Sequence, residues 1–269
     1  MRSFALAAIL TLFFSNTSFA GVSPEAAGLL SVVPGLGQVA HGDPIRGLAW
    51  LGAVAATFFS GNGDIKRNGI SLWQYNVYDA YQNAGGRNTA KNNVFQNTLG
   101  AYNPLNLVDP IGAPQLAANA YEIISSSPDT VYRGPHNVLV GTLWQTPNAL
   151  AEEALYRGYF FPVISNAVSS KVVGAVVSTV LFDFGHMLYG GYTLNKVYAG
   201  SLNNIVNGLL WCWQTDRNHY DLRHSIFTHM WIDAMIYYRW NGNLGTGGTG
   251  SSGGGGGAPM LGLKLNYFI

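Results

Sequence analysis

Charge is scarce in this chain. Of its 269 residues, 10% are Asp, Glu, Lys or Arg, where a soluble domain carries about 25%. The 14 basic and 13 acidic residues leave a net charge of +1. That argues against nucleic-acid binding, which depends on a basic face. Cysteine is scarcer still. Cys212 stands alone, which excludes an internal disulfide framework and any multi-cysteine metal site. Two hydrolase signatures are also absent, the H-E-x-x-H helix of zinc peptidases and the G-x-S-x-G elbow of serine hydrolases. The apolar share of 48% excludes a disordered chain. Glycine, at 34 residues, and asparagine take the place of the missing charge. A membrane protein or a Gly-rich apolar globule remains.

The spacing of the charges favours the membrane. Residues 26–42, 47–63, 92–108, 134–151 and 197–215 hold no charged side chain, in runs of 17 to 19 residues. A helix needs about 20 residues to cross a bilayer core. Asn, Gln, Ser and Gly interrupt most of these runs, and the mean hydropathy is +0.13. The expected fold is all-α: a polytopic helical membrane protein with a polar interior. A soluble protein of low charge is the alternative.

Four regions follow. Residues 1–20 read as a signal peptide. Arg2 is the positive end, Phe4 to Phe14 the apolar stretch, and Ser18 and Ala20 the small residues before Gly21. An uncleaved first helix is the other reading of the same segment. Residues 21–135 hold a helical hairpin over 22–60, punctuated by Pro34-Gly35 and Gly42-Asp43-Pro44. An aromatic cluster follows at Trp73, Tyr75, Tyr78 and Tyr81, suited to a membrane interface or to a core. A loop around 102–115 and a helix around 115–126 complete this region. Residues 136–240 are densely apolar with isolated charges. Residues 241–269 are a Gly-rich linker ending in a strand-like tail, where Leu261, Leu263 and Leu265 alternate with other residues.

The chemistry lies in 136–240, in three pieces on expected helices. The first is Glu152-Glu153 followed by Arg157-Gly158. The second runs from Phe182-Asp183 to His186, and the third from His229 to Asp233. Four residues separate Glu153 from Arg157, Phe182 from His186, and His229 from Asp233. That spacing puts each pair on one helix face. Ionisable groups in apolar helices are costly and persist where they pair or line a polar cavity. A Glu and a His sharing a water make a general base. A second His beside a polar group can stabilise an oxyanion. Each piece alone also has a bland reading, as a structural ion pair or a satisfied core histidine. Gly61-Asn62-Gly63-Asp64 reads as a turn, and His219 and His224 as parts of a solvated loop around Asp221 and Arg223.

In this order the three pieces resemble the bacterial CAAX-protease and bacteriocin-processing family, intramembrane peptidases related to the type II CAAX prenyl endopeptidases. The resemblance covers 136–240. It implies that Glu152 activates water with His186, that Glu153 and Arg157 hold the site electrostatically, and that His229 and Asp233 lie at the oxyanion side. Asp233 stands where relatives often have Asn, and Asp183 is atypical within its motif. The family is discussed both as metal-dependent and as metal-free, so Glu152, His186 and His229 are the residues that would hold zinc if a metal is used. The expected activity is an endopeptidase acting on a peptide or membrane-protein substrate in a lipid bilayer, without nucleic acid. The expected location is a bacterial membrane, the inner one before the outer. A non-catalytic scaffold, chaperone or immunity protein on the same fold is the second hypothesis.

Overall fold

The computed structural model describes residues 21–87, 92–125, 135–190 and 194–240. The signal segment 1–20 and the tail 241–269 lie outside the described residues. Every regular element among the described residues is helical, so the all-α expectation holds there. No described helix is long and apolar enough to cross a membrane. Two of the charge-free runs show why charge spacing overstated their length. Run 26–42 folds as two short helices and a turn, and run 92–108 as a short helix and a 3-10 turn. Contacts divide the chain into two units, Met1–Asn88 and Thr89–Ile269.

Among the described residues the first unit has four helices. Ser23 opens α1 (Pro24–Leu30), its hydroxyl accepting from the Ala26 amide at 3.3 Å with Pro24 in the first position. A tight turn leads to α2 (Leu36–Ala40). Asp43 caps α3 (Pro44–Phe58), accepting from the Arg46 amide at 3.1 Å. The long α4 (Gly63–Asn83) packs against α1 and α3. Its inner face is polar. Asn76 donates to the Ser31 carbonyl at 2.8 Å and accepts from the Gly35 amide at 3.2 Å. Gln38 donates to Asp79 at 3.1 Å, and Asp79 also receives Arg46 at 2.6 Å and Trp50 at 2.7 Å. In the turn between α1 and α2, Asn76 thereby satisfies two backbone groups that the local backbone bonds leave over. Gly35 has φ +82°, and its Cα lies so close to the Gly47 carbonyl that a side chain would collide with it. Tyr75, Tyr78 and Tyr81 are buried, so the aromatic cluster is core in this unit.

The second unit begins with α5 (Val94–Gly100), closed at its start by a reciprocal Asn93–Gln96 capping box. A 3-10 turn (Pro104–Val108) and α6 (Gly112–Ser125) follow, α6 starting three residues before the expected helix. Then come α7 (Pro135–Glu152), a π-helical turn (Glu153–Phe160), α8 (Phe161–Ala167), α9 (Lys171–Gly190), α10 (Leu194–Arg217) and α11 (Arg223–Trp240). The last helix is central, touching α5, α6, α7 and α10.

Asp109 ties the start of α6 to α10 and α11. Its side chain is 2% exposed. It accepts from the amides of Ile111 at 3.0 Å and Gly112 at 2.8 Å, and from Gln214 at 3.1 Å. Asn218, Arg217 and His224 stand within 3.3, 3.5 and 3.6 Å. His224 thus belongs to a buried network on α11, not to a solvated loop. The neighbouring His219 is exposed in the turn before α11, with φ 54°. Burial alone would raise the Asp109 carboxyl, but the Gly112 and Ile111 amides outweigh it and hold it below the usual carboxylate range. The stability this supplies is present at neutral pH and lost as pH falls through the lowered value. Asp109→Ala should therefore cost about 2–4 kcal/mol at pH 7 in urea unfolding. The gap to wild type should close in acid, and equal stabilities at pH 7 would count against this hub.

Candidate functional site

The site is built where a helix changes pitch. Pro162, near the start of α8, has no N–H to offer the Gly158 carbonyl. The chain widens into a π turn, and the Phe161 amide reaches back five residues to the Tyr156 carbonyl. Ser178 on α9 donates to the same carbonyl at 2.6 Å. The Tyr156 hydroxyl lies against Gly185 of α9, where a Cβ would collide with it. These contacts hold α9 against the wide turn. All residues from Glu153 to Tyr159 are buried. The sequence suggests an ordinary helix here, because Glu153 and Arg157 fall four apart in either pitch.

Glu153 and Arg157 meet at 3.1 Å, both with 0% side-chain exposure. The guanidinium lies 4.5 Å above the Phe182 ring and 4.8 Å from Trp211. Gly208 on α10 leaves it room, since a Cβ there would lie 3.1 Å from Nη2. Trp211 also stacks on His229, centroids 4.1 Å apart and planes 17° apart. His229 Nδ1–H donates to Glu153 Oε1 at 2.8 Å. Its Nε2 faces two more carboxyls, Glu152 at 3.5 Å and Asp233 at 3.5 Å.

The electrostatics follow from that geometry. Burial would raise Glu153, but the charge of Arg157 and the His229 bond outweigh it and keep it low. Burial would lower His229, but Asp233, Glu153 and Glu152 together raise it. An imidazolium donating from both nitrogens is the favoured form. Asp233 is pushed up to about 6 by burial, with Glu152 adding to the rise and His229 and His186 opposing it.

His186 joins from α9. Its Nδ1–H donates to the Phe182 carbonyl at 2.9 Å, so Nε2 carries the lone pair. The Phe182 ring lies 4.6 Å from His186 and 5.7 Å from His229, between the two imidazoles. Asp183 is buried beside them and pushed up by that burial, against the pull of His186, Asn204 and Arg157. The structure thus brings Glu152, Glu153, Arg157, His229 and Asp233 into direct contact and sets His186 across one aromatic ring. Trp211, on α10, stands outside the three pieces that the spacing picks out, and nothing around it marks it as part of the site.

A metal site is not laid out here. Among the described residues no group of three His, Cys, Asp or Glu side chains is arranged to hold an ion.

Buried carboxyls and imidazoles gathered around a salt-bridged guanidinium define a helical acid–base site. Residues 135–235 match the family model described as type II CAAX prenyl endopeptidase Rce1-like. The resemblance read from the three motifs is thereby borne out over that segment. The family is one of membrane-associated proteases. No curated protein and no solved structure matches the chain.

Removing Arg157 takes a counter-charge from buried Glu153, and removing Glu153 takes one from both Arg157 and His229. Arg157→Leu should cost about 3–5 kcal/mol, and the double variant Glu153→Leu/Arg157→Leu should cost less than the sum of the two single changes. Urea unfolding of the single and double variants measures the coupling. Simple additivity would show that the pair is not the organising contact.

Proposed function

We propose that this protein is an endopeptidase that hydrolyses a peptide bond of a peptide or membrane-protein substrate at a membrane. The observation that carries the reading is the contact of three carboxyls around His229, one of them paired with a buried guanidinium, in the segment that matches a protease family. Such a cluster is expensive to bury, and groups of this kind persist mainly where they pair and serve a function. Glu152, with 12% side-chain exposure, is the carboxylate open enough to take a proton from water. His186, with its Nε2 lone pair, assists it. Glu153 and Arg157 are sealed and act through His229, whose Nε2–H faces the developing oxyanion together with Asp233. The Trp211 stack and the Glu153 bond fix the His229 ring before substrate arrives, so orienting it costs nothing during reaction.

A membrane location is supported by the outer face of α9. Val172, Val173, Val176, Val177, Val180 and Phe184 form an exposed apolar ridge along it.

The test compares protein termini in cells carrying wild type or Glu152→Ala, with membrane levels of both checked by immunoblot. Glu152→Ala should lower turnover at least about 10³-fold, so some new termini should occur in wild type alone. Identical termini at equal protein levels would overturn the hydrolytic reading in favour of a scaffold.

A further inference from the structure

The first unit shows how this chain satisfies a buried amide side chain. Gln38 accepts from Ser31 and donates to Asn76, and Asn76 accepts from Gly35 and donates to the Ser31 carbonyl. In the second unit Gln115 donates to Asn207, and Gln214 to Asp109 and Thr228. Gln145 on α7 is different. It is 1% exposed, and among the described residues neither its Oε1 nor its Nε2 has a hydrogen-bond partner. Its surroundings are held in place, because the next residue, Thr146, is buried and bonded to the Tyr102 hydroxyl. A buried amide with neither end used is costly, and a native fold that keeps one calls for an explanation.

The position of Gln145 on α7 supplies one. It stands seven residues before Glu152, and seven residues are close to two full turns, so the two share one face of the helix. Ala149 lies between them on that face, fully buried, and contributes only a methyl group. The separation along the helix axis is about 10 Å, the length of about three residues of extended chain. A peptide whose reacting carbonyl sits at Glu152 can therefore bring a backbone amide group to the level of Gln145. Such a group offers one N–H and one C=O. The Gln145 side chain offers the complementary pair, Oε1 to accept and Nε2 to donate.

We propose that Gln145 is a substrate-binding residue that holds the backbone of a peptide about three residues from the bond to be cut. This rests on the hydrolytic reading above, which puts the reacting carbonyl at Glu152. Glu152, with 12% side-chain exposure, is the more open end of this face, and Gln145 is the covered end. A peptide enters at Glu152 and displaces what covers Gln145. The cost that the fold carries at the unbonded amide is recovered when the peptide lies there. A contact of this kind accepts many sequences, because every residue except proline presents the same backbone pair.

The test pairs stability with peptide binding, using the full chain in phosphatidylethanolamine–phosphatidylglycerol vesicles. Gln145→Met keeps the length of the side chain and removes both polar ends. Its thermal midpoint should equal that of wild type or exceed it by up to about 4 °C, because no bond of the fold is lost. A lower midpoint would show that the amide is used within the fold, and would overturn the proposal. Binding is read in the Glu152→Ala background, where turnover is blocked, as the fluorescence anisotropy of a labelled pool of apolar decapeptides. Adding Gln145→Met should weaken binding about 10-fold. The same pool made with ester links in place of alternate peptide bonds lacks those N–H groups, and on it the gap should shrink. Equal affinities for the amide pool, a gap that the esters leave unchanged, or no binding of the pool at all would count against Gln145 as a backbone-binding residue. Failure of the hydrolytic reading itself shows elsewhere, as matching termini in wild-type and Glu152→Ala cells, and the binding measurement does not depend on it.

Discussion

A guanidinium sealed from solvent cannot stand alone, and much of the second unit follows from keeping Arg157 company. Glu153 supplies the counter-charge one turn away. Phe182 and Trp211 cover two faces with rings, which tolerate a cation at little cost in space. Gly208 yields the volume that a larger residue would take. The same Trp211 then stacks His229, and the same Glu153 binds its other edge. One buried charge thereby fixes the imidazole that faces the two outer carboxyls. Structural and chemical roles are not separable at this place, because each contact that makes Arg157 tolerable also orients His229.

The first unit handles buried polarity in the opposite way. Gln38, Asn76 and Asp79 are as deeply placed as the site residues, yet they satisfy one another and the turn between α1 and α2. Nothing in that network is under-bonded. In the second unit, by contrast, Glu152 Oε2, Glu153 Oε2 and the Arg157 nitrogens have no hydrogen bond among the described residues. A fully satisfied network rigidifies and specifies a fold.

The pieces legible in the sequence were those with local spacing. The i, i+4 interval joined Glu153 to Arg157 and His229 to Asp233, and both contacts are present. Helices were legible wherever caps and apolar periodicity agreed, as at α3. What stayed hidden was non-local. Asp109 reads as an isolated acid, because its partners Gln214, Asn218 and His224 lie more than 100 residues away in the chain. Trp211 carries no motif around it. The charge-free runs misled for a physical reason too. Lack of charge marks burial in short, glycine-broken helices as readily as it marks passage through lipid, and run 26–42 is of the first kind.

The wide turn at Glu153–Phe160 bears on how such a chain can change over time. A π turn holds one residue more than the α turn it replaces. Deleting a single residue there would close the turn to regular pitch while α7 and α8 kept almost the same phase, because a full turn is completed either way. What the extra residue sets lies inside the turn, namely which side chains from Glu153 to Tyr159 face inward. Its loss would redistribute them and leave α7 in place, so the inward face of this segment is set by length as well as by composition.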